Sequence, residues 1–334
     1  MSRRTVILGG TGFIGLQLGT RLAELAGHGD EIHLVDNFSR GRRDADVEAL
    51  LAKHACVRVL ESDVSVQDGL ACLTGSYDHV YLLASVIGVR RAETHPEEVF
   101  RKNTRMILNT LEWMVTSGSK RIFFSSTSEN YAGGYALDVV PIPTPETVPL
   151  VISDIENPRF SYAITKIWGE AAAIAFARRY GFTAVIGRYH NVYGPRMGFD
   201  HVIPQLSQRI LEGEIPLRVY GAEQTRAFCY VSDGVEATRL LMEAPLNDTT
   251  IVHIGNDREE VAMGELAGRL LELAGRPAIY VPQPAPRGSV ERRAPDIARL
   301  RALTPYEPQV SLADGLARTF EWYRRALSAP VAEP

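Results

Sequence analysis

Cysteine is scarce: Cys56, Cys72 and Cys229 are the only three in 334 residues, and they lie too far apart for metal-ligand spacing. So odd and sparse a set argues against a disulfide scaffold and for a reduced, cytosolic protein with no metal site. No apolar run approaches the roughly 20 residues that cross a bilayer, so no membrane partner is expected. The N-terminal stretch, two arginines and then apolar residues, is broken by glycines. It reads as a strand entering a glycine turn rather than as a signal peptide. No long basic stripe is present and the net charge is -4, which argues against a nucleic-acid partner. The short cluster Arg40, Arg42 and Arg43 reads as a solvated loop beside a phosphate-bearing ligand. Repeats and low-complexity tracts are absent as well. What remains is an ordinary globular composition, 45% hydrophobic and 23% charged, enough for one large domain or two fused ones.

Along the first half, short apolar runs alternate with amphipathic stretches. Strands are expected at residues 5–8, 31–35, 57–60, 79–83, 121–124 and 184–186. Helices are expected at 13–26, 97–116 and 159–179. This alternation implies an α/β fold with a Rossmann-type doubly wound parallel sheet covered on both faces. After Tyr193, proline and glycine punctuate the chain. Helices are expected there at 202–211, 233–243, 263–274 and 312–325, with a run of turns at 282–288. The chain is therefore divided into residues 1–190, a dinucleotide-binding domain, and 191–330, a smaller mixed α/β substrate domain. The segment 141–149 carries four prolines and reads as a loop.

The first strand runs straight into Gly9-Gly10-Thr11-Gly12-Phe13-Ile14-Gly15. Gly9 suits the tight strand-to-helix turn, Gly12 lets backbone approach a pyrophosphate, and Gly15 lets helix and strand pack closely. The helix start then offers unpaired N–H groups to phosphate. Asp36 ends the second strand, where a carboxylate accepts hydrogen bonds from the adenosine ribose. That carboxylate would repel a ribose phosphate, so NAD is expected over NADP. Arg40 and Arg43 nearby leave NADP open.

Tyr162 and Lys166 stand four apart at the start of a helix, on one face. A phenol with an ordinary pKa near ~10 is a poor base at neutral pH. An adjacent ammonium would favour the phenolate, which could take a proton from a sugar hydroxyl. On its own the pair reads as an ordinary exposed helix pair. It gains weight from Ser125-Ser126-Thr127-Ser128-Glu129, which follows the fifth strand where an α/β sheet presents residues to its ligand crevice.

Together with Asp63-Val64, Leu83-Ala84-Ser85, the run Arg188-Tyr189-His190-Asn191-Val192-Tyr193-Gly194-Pro195, Thr225-Arg226-Ala227-Phe228 and Arg293-Ala294-Pro295-Asp296, these pieces resemble the extended short-chain dehydrogenase/reductase family, its nucleotide-sugar epimerase/dehydratase group. The matching elements span nearly the whole chain, and the ordered set is more specific than any member. The resemblance implies a cofactor site of Gly9, Gly12, Phe13, Ile14, Gly15, Asp36, Asn37, Ser39, Arg40, Asp63, Val64, Leu83, Ala84, Ser85, Asn103, Ser125, Tyr162, Lys166 and Tyr189. It implies Thr127 on the sugar 4-hydroxyl, Tyr162 as base, Lys166 on the nicotinamide ribose, and Glu129 beside them. Asn191, Val202, Arg226 and Arg293 would hold the nucleotide sugar. It also implies a homodimer paired through two long helices.

Such enzymes share the first step, oxidation of the 4-hydroxyl to a transient ketone, and differ afterwards. Ser128-Glu129 stands where the family's 4,6-dehydratases carry an Asp-Glu acid/base pair, which counts against dehydration. Thr-Ser-Glu with Arg293 resembles the uronate decarboxylases, as does Asn157-Pro158-Arg159-Phe160. The segment 85–91 looks closer to the epimerases. Decarboxylase and 4-epimerase both stand, ahead of dehydratase or simple dehydrogenase. A non-catalytic NAD-binding protein on the same fold remains the other class of reading.

Overall fold

The computed structural model describes residues 2–286 and 288–328. Residue 287 of the expected turn run and residues 329–330 of the second half lie outside them. The first half alternates as expected: β1 (Arg4–Leu8), α1 (Phe13–Glu24), β2 (Glu31–Asp36), α2 (Ala45–Lys53), β3 (Val57–Glu61), β4 (His79–Leu82), α3 (Val89–Thr94), α4 (Pro96–Ser117), β5 (Arg121–Thr127), α5 (Ala132–Ala136), α6 (Phe160–Tyr180) and β6 (Thr183–Tyr189). A single 3-10 turn, Ser128–Tyr131, follows β5. The second half adds β7 (Val192–Tyr193), α7 (Val202–Leu211), β8 (Leu217–Tyr220), β9 (Thr225–Ala227), β10 (Cys229–Tyr230), α8 (Val231–Glu243), β11 (Thr250–Ile254), β12 (Glu260–Ala262), α9 (Met263–Leu273), β13 (Tyr280–Gln283), β14 (Arg292–Arg293), α10 (Ala298–Leu303) and α11 (Leu312–Ser328).

Seven strands form one sheet in the order β11-β6-β5-β4-β1-β2-β3, every neighbouring pair parallel. Side chains alternate across it. Val6, Leu8, Val80, Leu82, Ile122, Phe124 and Ile186 face α4 and α6. Ile7, Leu34, Tyr81, Phe123 and Val185 face α1 and α8, and that core continues unbroken into α7, α9 and α11. Burying each such side chain contributes about 1.5–3 kcal/mol, which is why strands covered on both faces read as continuous apolar runs.

Two differences from the sequence-based expectation have clear causes. β5 continues through Ser125-Ser126-Thr127 and β6 through Gly187-Arg188-Tyr189, because the two polar ends pair with each other. β11 was not expected: five residues after a polar turn carry little periodicity, yet they extend the sheet beside β6. The order of strands reverses between β1 and β4, so the crevice lies beyond their carboxyl ends. Gly9, Asp36, Leu83, Thr127 and Tyr189 all stand at those ends.

Candidate active site

The glycine turn is shaped by contact. Gly9 has φ +86, and a Cβ there would lie 2.7 Å from the Ala84 nitrogen. A Cβ on Gly15 would lie 2.1 Å from the Gly9 carbonyl oxygen. Gly12 is the N-cap of α1, with no side chain capping the helix and no acidic residue in its first turn. Phe13 and Ile14 open that turn, so its N–H groups and dipole face the crevice.

Asp36 is buried at the lip of this cradle. Its Oδ2 accepts from the Thr11 backbone N–H at 3.0 Å and its Oδ1 from that of Phe38 at 3.0 Å. Asn37 donates to Asp63 at 3.0 Å, and Ser65 donates to the same carboxylate from backbone and hydroxyl. Burial pushes the Asp63 carboxyl up, but these hydrogen bonds outweigh it and hold it below its ordinary value. Val64 is buried just after it, and the Ser39 N–H bonds the Asn37 side chain. Across the crevice, Leu83 and Ala84 both donate to the Leu8 carbonyl. Asn103, buried on α4, pins the next turn: it accepts from Val86 N–H at 2.7 Å and from the Ser85 hydroxyl at 3.3 Å, and donates to the Val86 carbonyl at 3.0 Å.

The catalytic candidates meet where β5 ends against α6. Thr127 caps the 3-10 turn, its hydroxyl accepting from Glu129 N–H at 3.2 Å. Lys166 Nζ donates to the Ser125 carbonyl at 2.8 Å and lies 5.6 Å from the Tyr162 ring centre. Burial pushes the Tyr162 phenol well above its ordinary value and the Glu129 charge adds to this, while Arg40 and the hydroxyls of Ser85 and Thr127 pull it back. Burial likewise pushes Lys166 down to about 7, against the opposing field of Glu170. In the chain alone, burial dominates both groups.

Arg40 is exposed, as a solvated loop residue would be, yet it is tethered. Its guanidinium donates to the Ile87 carbonyl at 3.0 Å, and its charge reaches Asp200 and Tyr162. The Tyr189 hydroxyl is turned to α8, 2.7 Å from that of Thr238.

The opposite wall is built from short strands far apart in sequence. β14 pairs with β9, setting Arg293 directly beside Arg226. Arg293 donates to Glu129 at 2.5 Å, and its buried Nε has no partner among the described residues. Arg226 bonds the carbonyls of Thr225, Val290 and Glu291 and the Gln224 side chain. Burial and the Arg293 charge together lower it to about 10. Burial pushes Glu129 up, but Arg293, then Arg159 and Arg226, overcome this and hold it at about 2. Asn191, at φ 41, donates to the Ala227 carbonyl at 2.9 Å and so steadies β9. Val202 opens α7.

The crevice thus brings together Thr127, Glu129, Tyr162, Lys166 and Arg293, a base candidate beside a charged pocket. Missing from the sequence reading are Glu170 and Asn130, which lie buried behind it with Ser126, a member of the serine run expected to face the crevice. For Glu170 a signal existed, since it follows Lys166 by four residues. His201, whose imidazole is lowered to about 4 by burial, then by the Arg40 charge, also belongs to this neighbourhood.

The NAD dependent epimerase/dehydratase family matches residues 5–255. The UDP-N-acetyl-alpha-D-glucosaminuronate decarboxylase of Bacillus cytotoxicus is 31% identical over 97% of this chain and 98% of that protein. The UDP-glucuronic acid decarboxylase 1 of Xenopus tropicalis is 31% identical over 97% of this chain and 73% of that protein. The chain belongs to the NAD-dependent epimerase/dehydratase family. Among solved structures, the UDP-glucose 4-epimerase of Thermotoga maritima matches with a TM-score of 0.81 and 30% identity, over 97% of this chain and 100% of that one. MoeE5, solved with UDP-glucuronic acid and NAD, matches with 0.80 and 28%, over 97% and 99%. The chain is an enzyme of this family, and its cofactor is NAD. The glycine cradle fits that group, since the close contacts at Gly9 and Gly15 leave no room for side chains and the start of α1 carries no cap of its own. Among the described residues no cluster of His, Cys, Asp and Glu could hold a metal ion, and no helix is long and apolar enough to cross a membrane.

Proposed function

We propose that the chain decarboxylates a nucleoside diphosphate hexuronate, with uridine as the base named in its relatives. The observation that carries this reading is the pocket at Glu129, where Arg293 bonds the carboxylate and stands directly beside Arg226 on the paired strands β14 and β9. The excess positive charge suits an anionic sugar and a diphosphate, whose oxygens match the guanidinium fork. When bound, NAD would supply the hydride acceptor and donor for the sugar C4.

The chain's own residues do the rest. The first turn of α1, with Gly9, Gly12, Phe13, Ile14 and Gly15, holds the cofactor pyrophosphate. Asp36, Asn37, Ser39 and Arg40 hold the adenosine ribose and its surroundings, Asp63 and Val64 the adenine. Leu83, Ala84, Ser85, Ser125 and Tyr189 line the remainder, with Asn103 fixing the Ser85 turn. Thr127 hydrogen-bonds the sugar 4-hydroxyl and Tyr162 takes its proton, a role typically worth 10²–10⁴-fold in rate. Lys166 supports the phenolate and the nicotinamide ribose. The 4-ketone makes the neighbouring carboxylate that of a β-keto acid; as carbon dioxide leaves, the bond's electron pair passes into the ketone as an enolate, and C5 then takes a proton from water to restore the ketone that is reduced at C4. Arg293 and Arg226 hold that carboxylate against the like charge of Glu129. Asn191 and Val202 contact the nucleotide diphosphate side.

Residues 1–190 serve the cofactor and 191–330 the nucleotide sugar, with β11 returning to the sheet of the first part. A homodimer through α4 and α6 is supported by Phe100 and Trp168, both large and exposed on those helices. A monomer in sedimentation would remove it. A cytosolic location is supported by the sparse, unpaired cysteines and is tested by cell fractionation.

A 4-epimerase is the second reading. It is favoured by the Arg293–Glu129 pair, which already neutralises one guanidinium. Proton NMR of the enzyme with NAD and a panel of neutral and uronic nucleotide sugars separates the two. A pentose product with carbon dioxide supports decarboxylation. An inverted hexose supports epimerisation and removes the first reading.

A further inference from the structure

Tyr162, Lys166 and Glu170 recur every four residues and so share one face of α6. Glu170 makes no contact with the crevice, yet it is almost wholly buried and fully engaged. Its Oε1 accepts from the Ser126 hydroxyl at 2.5 Å, from Asn130 Nδ2 at 2.9 Å and from Arg188 Nε at 2.8 Å. Its Oε2 accepts from a terminal nitrogen of Arg188 at 2.5 Å. Arg188, reaching across from β6, also donates to the Tyr131 hydroxyl at 2.6 Å and the Glu146 carbonyl at 3.1 Å. Ser126, Asn130 and Tyr131 bracket Thr127 and Glu129. One carboxylate on the helix of Tyr162 and Lys166 therefore grips both ends of the segment that carries Thr127 and Glu129.

We propose that Glu170 is a positioning residue of the hydride-transfer site, which fixes Thr127 and Glu129 against Tyr162. This rests on the reading of Tyr162 as base. A buried ion pair is weak evidence of a stabilising role, since apolar residues of similar volume often serve stability as well or better. What this pair supplies is location. A polar segment at the end of β5 would otherwise have no fixed distance from α6.

It also supplies charge. Around Lys166, α6 presents Tyr162 and Glu170, β5 presents the Ser125 carbonyl and the Phe124 ring, and β6 presents Arg188 behind Glu170. From α4 comes the neutral Asn103, bonded to Thr165. Among the described residues, Glu170 is the one charge whose field opposes the burial of Lys166. Without it the ammonium is lost at lower pH, and with it the support for the phenolate.

The test compares Glu170→Gln, Ser126→Ala, the double variant Glu170→Gln with Arg188→Met, and Tyr162→Phe, all with NAD bound. Glu170→Gln is expected to lower kcat 10- to 100-fold with KM and NAD content within twofold, and to shift the alkaline limb of the kcat profile to lower pH. Nitrogen NMR of lysine-labelled protein is expected to show the Lys166 Nζ titrating at least one pH unit lower. Ser126→Ala is expected to lower kcat severalfold and leave that titration unchanged. The double variant, free of unpaired buried charge, covers the case in which the single variant does not fold. If it keeps the wild-type kcat and Lys166 titration while Tyr162→Phe is inactive, the proposal is overturned and the function stands. If Tyr162→Phe itself turns over normally, the functional reading fails and the proposal falls with it.

Discussion

Two arginine–carboxylate pairs of equal length serve opposite ends. Arg188–Glu170 and Arg293–Glu129 are both 2.5 Å apart. In the first, both side chains are about 4% exposed; in the second the glutamate is 36% exposed. The first is sealed under the end of β5, and both its carboxylate oxygens are bonded by the chain. The second faces the crevice, and its guanidinium keeps one nitrogen without a partner. The same chemistry is a fixed joint where water and ligand cannot enter and an exchangeable contact where they can.

The sharpest way to break that contrast is to truncate each arginine. Arg188→Met leaves Glu170 as a buried, uncompensated charge and is expected to destabilise the fold by about 3–5 kcal/mol, read as the urea midpoint at an unchanged slope. Arg293→Met leaves a glutamate that water can reach, with an expected loss of roughly 1 kcal/mol. Its cost appears in kcat/KM for a uronic substrate instead, expected to fall about 100-fold, near 2.7 kcal/mol. Equal stability losses in the two variants would erase the distinction.

Lys166 sharpens it from the catalytic side. Its folded value of about 7 lies below the ordinary 10.5. Between those values the unfolded chain binds a proton that the folded chain does not, so stability rises with pH across that window and is lowest below it. Lys166→Met in protein stripped of NAD is expected to be more stable than wild type at pH 7, to lose the rise towards pH 10.5, and to be inactive. Thermal melts across that range give the answer, and a variant less stable at pH 7 would refute the burial argument.

The smallest effect is at Glu129. Its carboxyl is held at about 2 against an ordinary 4.5. The pair's contribution is present above pH 4.5 and fades as pH falls towards 2. Glu129→Gln is expected to flatten that acid limb slightly, because partial exposure screens the charge. An acid limb that flattens strongly instead would mean that the pair is sealed like Arg188–Glu170.

The contrast also explains what could be read from the sequence. The cofactor side is local: one strand, one turn and one helix supply Gly9, Gly12 and Gly15, and periodicity locates them. Tyr162 and Lys166 are local too. The substrate wall is not. Arg226 and Arg293 are 67 residues apart and become neighbours only through the pairing of β14 with β9, two strands too short to show a period. The resemblance to a known family named them; their adjacency came from the fold. Glu170 was spaced to be seen, but a lone glutamate in a helix looks like a solvated one until Arg188, from a strand whose apolar run stops short of it, is brought alongside.

The seventh strand has a practical consequence. β11 supplies the hydrogen-bonding partner for the whole length from Val185 to Tyr189 of β6. A fragment cut at residue 190 would keep the glycine turn and both helices of the α4–α6 face, yet it would carry a bare, apolar sheet margin with no charged residue to guard it except Arg188. Such a truncation is a recipe for intermolecular strand addition. The halves that a functional division suggests are not units that can be expressed apart.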